Sequence, residues 1–286
     1  MTLTQVLLTL WSAVFASNSD QNLPPNRFVV APGPNKYQIS AAIEGIPGPY
    51  TPQIKRIIEN LIVSSKTGVM PTITGLNDDQ FFKIKCYETA GKRFAVGAQQ
   101  FILINASMAK VELVLDDIGS YKELFGDFKD IHVISNEGNK YLTFWEEHIP
   151  LFFVPNVRYQ MTYVIDKSAP SYRIYRYQLS QSKDIHSSDG FIYVRQLTPS
   201  KTLYIEYDFV DANWGALESL APSRIWKESI LGLYQSDLAI KMKAEHQDWE
   251  NEKVREESEK AMNKDLVETC IAQKKALELS DALSHR

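Results

Sequence analysis

Between Phe81 and Phe209 the chain repeats apolar residues at every second position, whereas on either side of that stretch they recur at helical spacing. In "VRYQMTYVI", Val157, Tyr159, Met161, Tyr163 and Ile165 fall on one face and Arg158, Gln160 and Thr162 on the other. In "TLYIEYDF", Leu203, Ile205, Tyr207 and Phe209 share a face opposite Thr202, Glu206 and Asp208. A side-chain period of two marks a sheet with one buried and one wet face. It predicts that Leu203, Ile205, Tyr207 and Phe209 point inward and that Glu206 points out. The segments "KYLTFWEEHI", "SYRIYRYQL" and "GFIYVRQL" are rich in aromatic and β-branched residues and are parted by Pro, Gly, Ser or Asn turns. They predict consecutive antiparallel strands.

The helical signals flank this block and interrupt it once, over 105–126. In "TPQIKRIIENLIVSSKTG", Thr51 suits the cap, Pro52 the first turn and Gly68 the stop, with Ile54, Ile57, Ile58, Leu61 and Ile62 as one apolar stripe. After the apolar run "QQFILI", the stretch "NASMAKVELVLDDIGSYKELFG" from Asn105 to Gly126 predicts a short amphipathic helix pair. A long helix starts at Pro222 or Ser223, with Trp226, Ile230, Leu233 and Tyr234 at helical spacing and Asp237, Leu238 and Ile240 further on. Beyond Lys241 the chain is charged and nearly balanced in sign, which predicts a solvated helical extension. The resulting division is a leader over 1–20, a Pro/Gly-rich segment plus helix over 21–89, the main domain over 90–247 and a charged helical tail over 248–286. No internal repeat is visible.

At the N-terminus, an apolar core from Val6 to Ala16 precedes Ser17, with Val14 and Ala16 at the two small-residue positions before a cleavage point. This is the pattern of a secretory signal and predicts export, although no Lys or Arg occurs in the first five residues. A buried N-terminal helix in a cytoplasmic protein is the alternative. The chain has 286 residues, 44% hydrophobic and 23% charged, with a formal net charge of -4. That balance excludes a broad basic surface, and with it nucleic acid as a main partner. No run of eighteen or more apolar residues suggests a membrane span. Cys86 and Cys270 are the only cysteines and lack metal-ligand spacing, so a structural zinc site is excluded. One disulfide or two separate thiols both fit.

The order strand, helix pair, antiparallel strands, long C-terminal helix resembles the START-like helix-grip superfamily. That superfamily includes StAR-related lipid-transfer domains, polyketide cyclases and aromatases, coenzyme Q-binding proteins and birch-pollen-allergen-like proteins. The resemblance sits in Ala106, Val111, Leu115, Asp116 or Asp117, Tyr121 and Phe125 of the helix pair, then in Gly190, Thr202 and the helix from Ser223. It covers roughly residues 90 to 247. It implies an α+β fold in which a curved antiparallel sheet grips the C-terminal helix and leaves a hydrophobic cavity. Val111, Leu115 and Tyr121 would wall it from the helix pair, with Ile118 also facing inward. Tyr159, Met161, Tyr163, Ile205 and Tyr207 would line it from the sheet, Arg176 would orient a polar head, and Trp226 and Ile230 would close it from the long helix. The implied function is binding, and transfer, of a lipid or isoprenoid-like ligand, with contact to a membrane surface and no cofactor or metal. The alternatives are a cyclase/aromatase-type enzyme in the same cavity, and an interaction module that recruits a protein partner through the tail.

The chemistry-bearing residues favour binding over catalysis. No GxSxG, HExxH, P-loop or GxGxxG motif stands in the right setting. Asp116 and Asp117 are adjacent on a helix and point apart, so they form no acid–base pair and are expected to solvate the helix end. In "FWEEHI", Glu146 and His148 share one strand face, opposite Trp145, Glu147 and Ile149. They would supply a general base if the chain were an enzyme. Arg173 is expected at the wet face or a strand end. No residue is assigned a catalytic role.

Overall fold

The computed structural model describes residues 37–45, 80–88, 94–149, 155–212, 222–246 and 249–261, with isolated positions 272 and 283. The leader, the helix expected over 51–68, Cys270 and most of the tail lie outside the described residues, as do the side chains of Cys86 and Trp226. Nine strands form one sheet: β1 (Tyr37–Gly45), β2 (Gln80–Glu88), β3 (Phe94–Ile104), β4 (Phe128–Glu137), β5 (Lys140–Glu147), β6 (Val157–Asp166), β7 (Tyr172–Ser182), β8 (Ile185–Thr198) and β9 (Lys201–Ala212). Among the described residues four helices accompany them: α1 (Met108–Asp116), α2 (Tyr121–Leu124), α3 (Pro222–Ala244) and α4 (Asn251–Ala261).

The order across the sheet is β1-β2-β3-β9-β8-β7-β6-β5-β4. Strands β4 to β9 form an antiparallel meander, and β3 joins its far end by pairing with β9. Among the described strands only β1 and β2 run parallel. Register shifts interrupt three of the strand pairs, β4–β5, β6–β7 and β8–β9, where residues such as Gln160 and Gln196 lose step. Such irregularities raise local twist and curl a sheet. The result is an α+β helix-grip fold: a curved antiparallel sheet around α3, whose 23 residues span about 34 Å at 1.5 Å each.

The helix pair forms where the sequence places it. Met108, Val111, Val114 and Leu115 make the buried stripe of α1, and Leu113 on the opposite side is 73% exposed. A single 3-10 turn, Ile118–Ser120, links α1 to α2. The Tyr121 hydroxyl then donates to the Leu115 carbonyl at 2.6 Å, satisfying an acceptor that the end of α1 would otherwise leave open. Thr202 at the start of β9 donates to the Ala106 carbonyl at 2.7 Å, fixing the β3–α1 corner to the sheet. The other end of α3 is tied there too. Lys241 Nζ donates to the Leu103 carbonyl at 2.9 Å and pairs with Glu245, which accepts the Asn105 N–H.

Two expectations change here. The sheet face assigned to β9 is reversed. Leu203, Ile205, Tyr207 and Phe209 are buried, but on the outer face, where Tyr207 stacks on Phe191 with ring centroids 6.0 Å apart. Tyr204, Glu206 and Asp208 face α3 instead. Both faces of β9 are out of water, so apolar alternation did not mark which one is concave. The charged tail is also not wholly solvated. Val254 and Ser258 of α4 are buried, and Arg255 bridges to Glu228 of α3 at 2.9 Å.

Candidate functional site

Between the sheet, the α2 corner and α3 lies a cavity of about 370 Å³. Its aromatic wall is organised by Trp145. The indole stacks on Tyr159 and Phe125, meets Phe128 edge-on at 5.1 Å and lies near Tyr121 and Tyr163. The indole N–H donates to Thr143 Oγ1 at 2.7 Å, and that hydroxyl donates to the Met161 carbonyl at 3.1 Å. A buried indole with its donor satisfied is a rigid apolar surface. Met161, Leu124, Ile192, Val210 and Ile240 extend it with aliphatic side chains.

The opposite wall, from β9 and α3, is acidic. Glu206, Asp208 and Asp237 all line the cavity. The Tyr177 hydroxyl donates to Glu206 Oε1 at 2.7 Å, and the Tyr204 hydroxyl donates to Asp237 Oδ1 at 2.5 Å. Burial, then the neighbouring Glu206 charge, pushes the carboxyls of Asp208 and Asp237 well above the usual carboxylate range. Burial also raises the hydroxyls of Tyr159, Tyr163, Tyr177 and Tyr204, so they stay neutral donors. Glu147 faces the cavity beside Trp145, and burial, helped by Asp127, pushes it up to about 7.

The cavity reaches the surface at one end. Among its lining residues, Gly126, His148, Asn251 and Glu252 are exposed. There α4 lies against the loop after α2: a Cβ at Gly126 would stand 2.6 Å from Asn251 Cγ. Arg255, which also lines the cavity, bonds Glu228 and contacts Asp127 and Glu259. Among the described residues, no group of three or more His, Cys, Asp and Glu could hold a metal ion, and no helix is long and apolar enough to cross a membrane.

The structure brings Tyr121, Tyr159, Met161 and Tyr163 together in the cavity wall. Val111, Leu115 and Ile230 are fully buried in the adjoining core, behind the lining rather than in it. Ile205 and Tyr207 point to the outer face, as β9 requires. Arg176 is exposed on the outer face of β7 because Tyr175 and Tyr177 take the inner positions, so it cannot orient a ligand. Arg173, expected at the wet face, is instead mostly buried in an ion pair with Glu112 of α1. Asp116 does more than solvate a helix end: it pairs with Lys167 and accepts from the Tyr175 hydroxyl at 3.0 Å. Glu146 and His148 do not meet. Asn156 stands between them, and Glu146 is held by Asn156 and Arg158, whose bonds lower its pKa.

Sequence reasoning missed Glu206, Asp208 and Glu147, and gave Asp237 no role. One signal was available: Asp237 follows Ile230 and Tyr234 by seven and three positions, which puts a carboxylate on the apolar face of a helix.

No family model matches the sequence, and no curated protein matches it. Among solved structures the chain is similar to human STARD10, at 11% identity and a TM-score of 0.45, over 57% of this chain and 69% of that one. It is similar to human StAR-related lipid transfer protein 5 at 8% identity and a TM-score of 0.44, over 69% of this chain and 99% of that one. It is also similar to the Zhui aromatase/cyclase from Streptomyces sp. R1128, at 10% identity and a TM-score of 0.41, over 58% and 94%. The likeness is one of chain arrangement; what the site can do follows from its own side chains.

Proposed function

We propose that this chain binds a hydrophobic small molecule, a lipid or isoprenoid-like compound, reversibly within the cavity. The observation that carries the reading is a cavity of about 370 Å³ walled by Trp145, Phe125, Tyr159, Met161 and Ile192. Packed protein interiors hold few voids larger than one water, and ligand sites begin at about 300 Å³. A space this size is costly to leave unfilled, and its aromatic wall offers water few partners. At about 30 Å³ per water-sized unit it takes roughly twelve such groups. Burying about ten methylenes at ~0.8 kcal/mol each contributes about 8 kcal/mol before the costs of association. That corresponds to an affinity near micromolar, compatible with release. The gate is the end where the α2 corner meets α4.

The test is native mass spectrometry on the purified full chain, followed by extraction and identification of what was bound. A discrete hydrophobic species at one-to-one stoichiometry is expected. A protein that carries none, and that also fails to take up an apolar fluorescent probe, would sink the reading.

A further inference from the structure

The β9–α3 wall has more hydrogen-bond acceptors than the protein supplies donors for. Glu206, Asp208 and Asp237 all line the cavity, and Glu206 lies close enough to both aspartates to raise their carboxyls. Two hydroxyls serve them. Tyr177 donates to Glu206 Oε1 at 2.7 Å, and Tyr204, with one hydrogen, reaches Asp237 Oδ1 at 2.5 Å and Glu206 Oε2 only at 3.4 Å. Asp208 takes the Phe209 backbone N–H and a share of the same Tyr177 hydroxyl, and Asp237 lies close enough to Glu206 to share a proton. Even so, among the described residues no donor reaches Asp208 Oδ1 or Gln100 Oε1 on neighbouring β3, and Asp237 Oδ2 has only the proton it can share with Glu206. Asp237 is only 1% exposed. Among the described residues, the basic ones lining the cavity are His148 and Arg255, both at its open end, and Arg255 is already bonded to acids there. Buried acceptors left open, with no opposing cation, are costly. A lone metal ion does not answer them, since the described residues offer no metal-binding cluster.

We infer that the bound molecule's apolar body ends in a protonated amine, which the carboxyls of Glu206, Asp208 and Asp237 hold against the β9–α3 wall. This rests on the cavity-binding reading above and names the ligand class for it. An ammonium brings three donors and one positive charge, matching both shortages at once. A hydroxyl brings a single donor and no charge, and a carboxylate or phosphate head would add acceptors and like charge. Tyr163 and Tyr177, whose ring centroids lie 5.6 Å apart, line the same cavity. Burial already holds Asp208 and Asp237 toward the neutral acid, and an arriving ammonium restores the ionised form.

The test compares decylamine, 1-decanol and decanoate by calorimetric titration of the full chain at pH 7, with Asp237→Asn and Asp208→Asn beside the wild type. Decylamine is expected to bind at least about tenfold tighter than decanol, the value of one charge-assisted hydrogen-bond group, with decanoate weakest. In Asp237→Asn the ratio of amine to alcohol affinity should shrink to within about threefold, whatever happens to the affinity for decanol itself. Equal binding of amine and alcohol to the wild type overturns the inference and leaves the cavity reading standing. Failure of all three probes overturns both. Attraction of a cation to the acidic surface gives a different result, an amine preference that persists in both variants or collapses in 0.5 M salt, and either outcome overturns the inference. The wild-type comparison and its salt dependence stand without any variant.

Discussion

A methyl group at position 190 would sit 2.3 Å from the Tyr207 carbonyl oxygen and 2.5 Å from Tyr177 Cζ. Gly190 is in register with Tyr177 on one side and Asp208 on the other, so its missing side chain lets the Tyr177 ring cross β8 toward Glu206. Only glycine allows that approach. Gly190→Ala is expected to cost about 1–3 kcal/mol, as overpacked core positions do, and to displace the Tyr177 hydroxyl from Glu206. Tyr177→Phe keeps the ring but removes one donor from an acceptor-rich wall, at a cost of about 1 kcal/mol. Urea unfolding of the two variants checks this, and a Gly190→Ala midpoint equal to wild type would refute the close-approach account. Gly190 was visible in the sequence as a feature of the family resemblance, but its task was not. What it accommodates is a tyrosine on a different strand, and strand pairing has to be known before that contact can be read.

At the scale of elements, the contact of α4 with the α2 corner decides how a ligand gets in and out. Val254 anchors α4 to the core, and Arg255 spans Glu228, Asp127 and Glu259 across the open end. Arg255 is about a third exposed, at 36%, so its ion pairs contribute little to global stability. Local opening costs less than global unfolding and is the step that exchange requires. Arg255→Met should therefore release a bound apolar fluorophore several-fold faster in stopped-flow mixing, with a melting temperature within about 2 °C of wild type. An unchanged release rate would remove α4 from the gate. The same scale shows what the sequence could convey. In β6, Arg158 is exposed while Met161, Tyr163 and Ile165 are buried, so its alternation identified the inner face. In β9 both alternating sets are apolar or aromatic at several positions and neither is exposed. Its parity was therefore legible, but its orientation was not, and the acidic wall was assigned to the outside with it. The helix pair and α3 were readable because each has a polar side. The docking of α4 was not, because Val254 is a lone apolar residue in a charged run and its value depends on the groove it meets.

The whole molecule holds several buried acids whose protonation is linked to folding. Glu147 is raised from an ordinary 4.5 to about 7, and burial raises Asp208 and Asp237 as well. Above the unfolded carboxyl range near pH 4, the unfolded chain has released these protons while the folded chain still holds them. The folded state then binds more protons than the unfolded one, so stability falls as pH rises through the window up to the folded values. Glu146 and Asp166 act in the opposite direction, since hydrogen bonds lower them, but their contribution is lost only below about pH 4.5 and is constant across neutral pH. The ligand-free protein should therefore melt several degrees higher at pH 5 than at pH 8, with Glu147 alone accounting for a few kcal/mol across that range. Saturating decylamine should flatten the slope, because an ammonium against the β9–α3 wall stabilises the ionised carboxyls that otherwise destabilise the fold at high pH. Melting curves from pH 5 to pH 8, with and without the amine, test both statements. Stability that rises with pH in the ligand-free protein would mean that these acids are ionised and paired in the fold, and the cavity would then already contain the positive charge that its own side chains lack.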